Sequence, residues 1–341
     1  MTKSGIWLSR AAIGAVLVCG GCGGERDGVA KTEPLVVRLF YTCDTHGYLF
    51  PCDCDSGREG GLARRQTHLS DHAAEVQLLV DAGDVTAGRR EWEVLEYEYL
   101  LRGCELMGYD AVNLGHREAG LSAGQLRDFA ARFPFLVSAN LLGDDGRPLA
   151  APFRIRALPN GHRVALLGVM DDRVRAEELG KGGRVIPPDE AVGKYLPELE
   201  KSADSVFLLA FADERTMIDL ANLFYEISLI VGGDVVQSSP EPVRMNQSAI
   251  VYVTDKGKSI GQLDLWLADG KWQALTNDVI ALTDDVPDAP EVGPLLAEYR
   301  RTLSNRQFRT AGQLRDDSEG LSAIGAVEEE GEDEKAAKLK H

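Results

Sequence analysis

Residues 35–47 have the sequence LVVRLFYTCDTHG, in which a mostly apolar run ends in a carboxylate, an imidazole and a glycine. An apolar run of this length is typical of a strand buried on both faces. Asp44 and His46 follow the predicted strand directly, and Gly47 allows the backbone to turn tightly there. In α/β folds, ligands bind where strands end and loops begin. This stretch therefore predicts both a fold class and the place of a site.

The same pattern recurs twice further along the chain. Residues 76–81 form an apolar run that continues into Asp81-Ala-Gly-Asp84, and residues 110–114 are followed by Gly115-His116-Arg117-Glu118. Carboxylates and imidazoles at successive strand ends are typical ligands of divalent metal ions. A single Asp-x-His is more often a turn with a surface histidine, but three such stretches in order favour a metal site.

Predicted strands and helices alternate along the chain, which indicates an α/β fold with a largely parallel sheet. Residues 249–283 change to alternating, turn-punctuated runs, which predict antiparallel hairpins. The predicted strands are Leu35–Thr42, Val76–Asp81, Asp110–Leu114, Pro134–Ser138, Val164–Val169, Ser205–Ala210 and Ile227–Gly232. The predicted helices are Glu91–Met107, Ser122–Arg132, Glu190–Lys201, Glu214–Tyr225 and Val292–Leu303.

The beginning of the chain predicts export. Residues 1–22 combine a basic start with a short apolar run and small residues before Cys22, as in a bacterial lipoprotein signal peptide. Cys19 stands where an aliphatic residue is usual, and an ordinary signal peptide with incidental cysteines is the alternative. We expect an exported envelope protein, anchored to the membrane by a lipid on Cys22. Residues 23–34 are then a flexible tether, 35–309 the folded domain and 310–341 an acidic, disordered tail.

Composition limits the partners. The hydrophobic fraction of 44% supports a sizeable core, and the net charge of −17 would repel phosphate backbones, so we expect no nucleic-acid binding. After residue 25 the chain lacks an apolar run long enough for a membrane span, which excludes a multi-span membrane protein.

Seven stretches together point to a known family. They are YTCDTHGYLFP at 41–51, GGLARR at 60–65, LVDAGDVTAG at 79–88, MGYDAVNLGHRE at 107–118, FPFLVSANL at 133–141, VALLGV at 164–169 and LIVGGD at 229–234. In order and spacing they resemble the 5′-nucleotidase family of calcineurin-like metallophosphoesterases. The resemblance implies a four-layer α/β/β/α sandwich, an ancestry as a phosphate-ester hydrolase, and two metal ions that clamp the phosphate and activate the attacking water.

The resemblance implies ligands that this chain only partly keeps. Asp44, His46 and Asp84 match implied ligand positions, with Asp84 as the carboxylate that bridges the two ions. His116 replaces an asparagine ligand and can still coordinate. Arg117 replaces a histidine that stabilises the leaving oxygen; it can donate to phosphate but cannot act as a general acid.

Three other histidine positions of the family are lost, because the chain has Phe211-Ala-Asp213 at one and Gly233-Asp-Val-Val236 at the other two. We therefore expect a rearranged site that binds a divalent ion (Mg²⁺, Mn²⁺ or Zn²⁺). An active enzyme would hydrolyse a small phosphate mono- or diester by metal-activated water, with His116 and Arg117 stabilising the transferring charge. The alternative is a degenerate domain that acts as a non-catalytic binding module in the envelope. The expected metal ligands are Asp44, His46, Asp84, His116 and Asp234.

Two further groups of residues accompany the first motif. The cysteines favour one or two disulfides that pin the loop, and the alternative is thiolate ligands for a softer metal in a thiol-metal accessory protein. The arginines are expected on a helix surface with solvated charges, and the alternative is phosphate binding. The residues are Cys43, Cys52, Cys54 and Cys104, and Arg58, Arg64 and Arg65.

Overall fold

The computed structural model of the protein describes residues 34–54, 57–254 and 256–306. The predicted signal peptide, the lipidation site Cys22, almost all of the predicted tether and the predicted acidic tail lie outside these residues. Within the described part of the chain, no helix combines the length and the apolar character needed to cross a membrane.

The described residues alternate between strands and helices. The strands are β1 (Leu35–Thr42), β2 (Cys52–Cys54), β3 (Gly57–Glu59), β4 (Gln77–Asp81), β5 (Ala111–Asn113), β6 (Leu136–Val137), β7 (Leu141–Gly143), β8 (Phe153–Ala157), β9 (Arg163–Met170), β10 (Gly183–Val185), β11 (Ser205–Phe211), β12 (Ile227–Gly233), β13 (Val243–Met245), β14 (Ser248–Tyr252), β15 (Ser259–Ala268) and β16 (Lys271–Ala281). The helices are α1 (Leu62–Asp71), α2 (Glu91–Met107), α3 (His116–Ala119), α4 (Ala123–Arg132), α5 (Pro188–Ser202), α6 (Glu214–Leu223) and α7 (Gly293–Asn305), with a short 3₁₀ helix at Pro290–Val292.

Most of the strands belong to two six-stranded sheets. The first sheet has the order β16-β15-β1-β4-β5-β6, and the second has the order β13-β14-β12-β11-β9-β8. In the first sheet β1, β4, β5 and β6 run parallel, and in the second β9, β11, β12 and β14 run parallel. The antiparallel strands lie towards the sheet edges. Each sheet therefore has a set of neighbouring strands whose carboxyl ends point the same way.

The second sheet is buried on both faces. Leu166 of β9 belongs to the main core, which it shares with β1 and with residues of α1 and α2 such as Leu62 and Leu100. The next residue, Leu167, points to the other face and packs in a second core with residues of α5 and α6. Because successive strand residues face opposite ways, one sheet thus contacts the other sheet on one side and helices on the other. The predicted α/β/β/α sandwich is confirmed.

The buried strands and the long helix α2 were predicted closely, whereas the bounds of helix α1 were not predicted. The stretch 249–283 was expected to form antiparallel hairpins. β15 and β16 form one, and β14 pairs antiparallel with β13, but the parallel pairing of β14 with β12 was not expected. A short apolar strand such as β14 carries no signal for the direction of its neighbour, which only the sheet as a whole decides.

Arg64 and Arg65 lie on a helix, as expected, but the expectation that their charges are solvated is wrong. Both lie in α1 and are buried. Arg65 donates to the hydroxyls of Tyr109 at 3.2 Å and Thr45 at 3.0 Å, and Arg64 pairs with the carboxylate of Asp284. Their guanidinium groups are therefore used inside the fold and are not presented to a phosphate.

A hydrogen-bonded chain connects Arg65 to the buried carboxylate of Asp81. Tyr109 and Thr42 link the two charged groups, with 2.9 Å between the hydroxyls. Burial raises the pKa of Asp81 to about 6, even though the hydrogen bond from Thr42 and the charge of Arg65 lower it. Near neutral pH the charged form of the Asp81 carboxylate is therefore stabilised by the Arg65 guanidinium.

We predict that Arg65→Met lowers the free energy of unfolding by about 3–5 kcal/mol, because it leaves a buried carboxylate without its compensating charge. Urea denaturation followed by circular dichroism measures the loss. The control is Arg215→Met in α6, where the side chain is 90% exposed, and there we expect a change below about 0.5 kcal/mol. Equal losses in the two variants would contradict a role for Arg65 in stabilising the core.

Candidate metal centre

Polar side chains from both sheets converge at the carboxyl ends of the parallel strands. In the first sheet, Asp44 and His46 follow β1, Asp84 follows β4, and His116 follows β5. Two contacts join the sheets at this edge. The hydroxyl of Thr254, just after β14, donates to Asp44 at 2.9 Å, and Nε2 of His116 lies 2.9 Å from Oδ1 of Asp171, which follows β9. We call this region the strand-end site.

Three side chains form the Asp44 cluster, defined as Asp44, His46 and Asp84. Each offers one ligand atom, and these atoms lie within 4.8 Å of one another. Nε2 of His46 lies 3.3 Å from Oδ1 of Asp44 and 3.5 Å from Oδ2 of Asp84. The carboxylates are buried, whereas the imidazole is partly exposed. The cluster can therefore be reached from solvent on the side of His46.

The backbone around the Asp44 cluster is held in an uncommon conformation. Asp44, His46 and Asp84 have φ angles of 50°, 48° and 56°, in the left-handed region that costs a residue other than glycine about 1–3 kcal/mol. Three hydrogen bonds between the two loops stabilise it: Asp44 N donates to Gly83 O at 3.0 Å, His46 N to Asp84 O at 3.0 Å, and Gly47 N to Val85 O at 2.9 Å. The loops after β1 and β4 thus fix each other and aim the three side chains together.

Glu118 stabilises the backbone of the loop that carries Asp84. Its side chain is fully buried and accepts hydrogen bonds from the backbone N–H groups of Asp84, Thr86 and Gly115 at 3.1, 2.7 and 2.8 Å. Burial, followed by the nearby charge of Asp84, raises the pKa of Glu118. Glu118 therefore acts on the backbone that carries a ligand and does not reach the cluster itself.

The two carboxylates of the Asp44 cluster favour a positive charge beside them. Burial alone would lower the pKa of His46, but its hydrogen bonds with Asp44 and Asp84 outweigh this and raise the pKa to about 9. The two carboxylates thus favour a positive charge at this point, which a proton on His46 or a bound cation would supply. Arg117 adds a second positive group, since its Nε lies 3.5 Å from Oδ2 of Asp84.

The cluster also fits a divalent ion in its chemistry and in the space around it. Two carboxylate oxygens and one imidazole nitrogen are suitable ligands for Mg²⁺, Mn²⁺ or Zn²⁺. Gly115 leaves room for this arrangement, because a Cβ there would lie 2.3 Å from Oδ1 of Asp84. The residues present are therefore those that would hold the ion.

The second sheet contributes the Arg173 cluster, defined as Asp171, Arg173, Asp213 and Asp234. Nε of Arg173 lies 2.8 Å from Oδ2 of Asp171, its Nη1 lies 3.1 Å from Oδ2 of Asp213, and its Nη2 donates to Asp234. Burial would raise the pKa of Asp171, but hydrogen bonds with His116 and Arg173 lower it to about 2. The Asp171 carboxylate is thus ionised, and all three carboxylates pair with one side chain of the protein.

The five predicted metal ligands are therefore divided between the two clusters. Asp44, His46 and Asp84 lie together, whereas His116 contacts Asp171 and Asp234 pairs with Arg173. Arg117, predicted to meet the transferring phosphate, lies beside Asp84 and donates from Nη1 to the carbonyl of Ala87 at 2.7 Å. The assignment of ligands and charge-stabilising residues stays a prediction.

Three residues of the strand-end site were not predicted from the sequence: Asp171, Arg173 and Thr254. The signal for the first two was present, since Asp171-Asp-Arg173 follows an apolar strand in the way that Asp44 and His46 do. Thr254 had no such signal, because a single threonine after a strand is common in any loop.

Among the described residues, the group of potential metal ligands contains no cysteine. Cys52 is disulfide-bonded, while Cys43 and Cys104 are free and buried. Burial, followed by the neighbouring carboxylate of Asp44, raises the pKa of Cys43 well above its ordinary value. Since the thiolate is the form that binds metals, the two buried thiols do not favour the thiol-metal alternative.

A two-sheet sandwich with carboxylates and imidazoles at facing strand ends defines a metallophosphoesterase type of fold, and comparisons with known proteins agree. No family model matches the sequence. The 5′-nucleotidase of Vibrio cholerae is 24% identical over 98% of this chain and 65% of its own length. Protein UshA of Yersinia enterocolitica is 30% identical over 74% of this chain and 53% of its own length. The chain thus spans about half to two thirds of these relatives.

Solved structures show the same fold. A 5′-nucleotidase precursor from Thermus thermophilus superposes with a TM-score of 0.69 at 23% identity, covering 79% of this chain and 59% of that one. The calcineurin-like phosphoesterase YfkN from Bacillus subtilis gives a TM-score of 0.64 at 21% identity, covering 79% and 98%. Fold and sequence relatives together support a 5′-nucleotidase-type metallophosphoesterase, at low identity.

We predict that Gly115→Ala weakens Mn²⁺ binding by about 10–100-fold, the usual effect of disturbing a group that orients a metal ligand. The added Cβ would meet Asp84 at Oδ1 and at the backbone nitrogen, at 2.3 and 2.5 Å. Isothermal titration of the full-length chain with Mn²⁺ measures the change.

The matched control is Gly124→Ala in α4, where an added Cβ has no atom within 4 Å. Its Mn²⁺ affinity should equal that of the wild type. If the two alanine variants bind Mn²⁺ equally well, Asp84 is not a ligand in the assumed position.

Proposed function

We propose that this protein hydrolyses a small phosphate mono- or diester with the help of a divalent ion held by Asp44, His46 and Asp84. The observation that carries the proposal is the convergence of these three ligand atoms at the strand ends of the fold. The 5′-nucleotidase and phosphoesterase names of the relatives support a phosphate-containing substrate.

The residues around the cluster have distinct parts in this reaction. A bound divalent ion would polarise the phosphate and lower the pKa of a bound water. Arg117 has a half-exposed guanidinium beside Asp84, from which it can donate to the phosphate oxygens. His116 is held by Asp171, whose carboxylate raises the pKa of the imidazole against the lowering effect of burial. A positively charged His116 would stabilise the charge that develops on the leaving oxygen.

A second candidate is a non-catalytic binding module on the same fold. The observation that favours it is the pairing of Asp213 and Asp234 with Arg173 at positions where the family places histidine ligands. A site without its full set of ligands could still bind a phosphate-containing molecule through its arginines, without hydrolysing it.

We predict that the full-length chain hydrolyses p-nitrophenyl phosphate or its bis-ester in the presence of Mn²⁺, Mg²⁺ or Zn²⁺, and that a chelator abolishes the activity. Asp84→Asn should lower kcat/KM by about 100-fold or more, because it weakens a metal ligand. Asp219→Asn is the matched control, since the Asp219 side chain is 69% exposed on α6. Metal binding without turnover of either ester would favour the binding module.

We also propose that the protein is exported and carries a lipid on Cys22, as residues 1–22 suggest. The wild type should partition into the detergent phase of Triton X-114, and Cys22→Ala should move it to the aqueous phase. Cys19→Ala is the control, because the neighbouring cysteine is not the expected lipid acceptor. Unchanged partitioning of Cys22→Ala would exclude the lipid anchor at this residue.

A further inference from the structure

Arg173 connects the ends of three neighbouring parallel strands. Asp171 follows β9, Asp213 follows β11, Asp234 follows β12, and the Arg173 guanidinium contacts all three carboxylates. Arg173 itself lies in the loop after β9, two residues beyond Asp171. One side chain thus occupies the space that three carboxylates would otherwise share.

The Arg173 cluster belongs to the same strand-end site as the Asp44 cluster. His116 joins them, because it follows β5 of the first sheet and contacts Asp171 of the second. The backbone of Gly233, next to Asp234, also packs against the side chain of Cys43, since a Cβ on Gly233 would lie 1.9 Å from Sγ of Cys43. The two clusters are therefore two halves of one site.

The carboxylates of the Arg173 cluster are already engaged. Oδ1 of Asp171 faces Nε2 of His116, and its Oδ2 faces Arg173. Oδ1 of Asp213 accepts a hydrogen bond from the backbone of Thr216 at 2.8 Å, where it caps α6. Among the residues that the structure describes, the Asp44 cluster is the single group of three or more side chains whose ligand atoms lie within 4.8 Å of one another.

A guanidinium in this position opposes a metal ion. It remains charged at every accessible pH, and its planar donors match carboxylates that come from different directions. A divalent ion placed beside it would meet a like charge and would have to compete for the same oxygens. Filling this half of the site with an ion would therefore require Arg173 to leave.

We propose that the Arg173 guanidinium takes the place of a second divalent ion, so that the strand-end site binds one ion where related folds would hold two. Arg173 then supplies a fixed positive charge at the strand ends of the second sheet. This rests on the proposed function for the ion at the Asp44 cluster, but it concerns the other half of the site.

The test is the number of Mn²⁺ ions bound by full-length wild type and Arg173→Gln, measured by isothermal titration and by metal analysis of the purified chains. We expect about one ion per wild-type chain and about two per variant chain. Adding Asp213→Asn to Arg173→Gln should return the number to about one, because the new ion loses a carboxylate ligand.

Two controls accompany this experiment. Arg175→Gln changes a guanidinium that pairs with Glu178 in the same loop and should bind as the wild type does. Arg173→Lys keeps a positive charge and should also bind like the wild type, with melting temperatures confirming that every variant is folded.

The outcomes separate the two proposals. Equal ion numbers in wild type and Arg173→Gln, or two ions in the wild type, would overturn the role of Arg173. A wild type without any bound ion, together with a gain in Arg173→Gln, would overturn the metal site at the Asp44 cluster and leave the role of Arg173 standing.

Discussion

Three backbone hydrogen bonds between the loops after β1 and β4 are the constraint on which the strand-end site depends. They join residues 44–47 to residues 83–85 and hold Asp44, His46 and Asp84 in left-handed conformations. Each such residue costs free energy, so the arrangement persists only where neighbouring structure enforces it. Parallel pairing of β1 with β4 brings the loops side by side, and buried Glu118 ties down the backbone of Asp84. The pairing of the strands thus fixes the backbone that carries the site residues.

The second sheet also has carboxylates at its strand ends, but their charges are balanced in a different way. Asp234 also has a left-handed backbone, with a φ of 58°, so its strand end is shaped like those of the first sheet. Its carboxylate, however, pairs with Arg173, which also contacts Asp171 and Asp213. Carboxylates that converge need a positive partner, which can be a bound ion or a side chain of the protein. The Arg173 cluster has such a side chain, whereas at the Asp44 cluster the proposed ion would be that partner.

The sequence predicted what local patterns control. The strands, and the sheet edge that carries Asp44, Asp84 and His116, could be predicted from the apolar runs that precede these residues. Burial patterns and turn residues are local properties of the sequence. The pairing of His116 with Asp171 joins residues 55 positions apart, and no local pattern encodes it. The prediction that Arg65 is solvated was wrong for a related reason. Arginine is usually exposed, and its burial here depends on Tyr109 and Thr45, which come from other elements.

The difference between the two halves of the site bears on its chemistry. A metal ion can exchange, can accept a phosphate oxygen and can lower the pKa of water, whereas a guanidinium can only donate hydrogen bonds and attract negative charge. A site with an ion at the Asp44 cluster and Arg173 opposite would therefore bind phosphate from both sides but activate water on one. Arg117, placed where a histidine is expected, shifts the balance the same way, because it replaces a group that can transfer a proton with one that cannot. Under the proposed function, both arginines would favour binding of phosphate over its turnover, and hydrolysis would depend on the Asp44 cluster and His116.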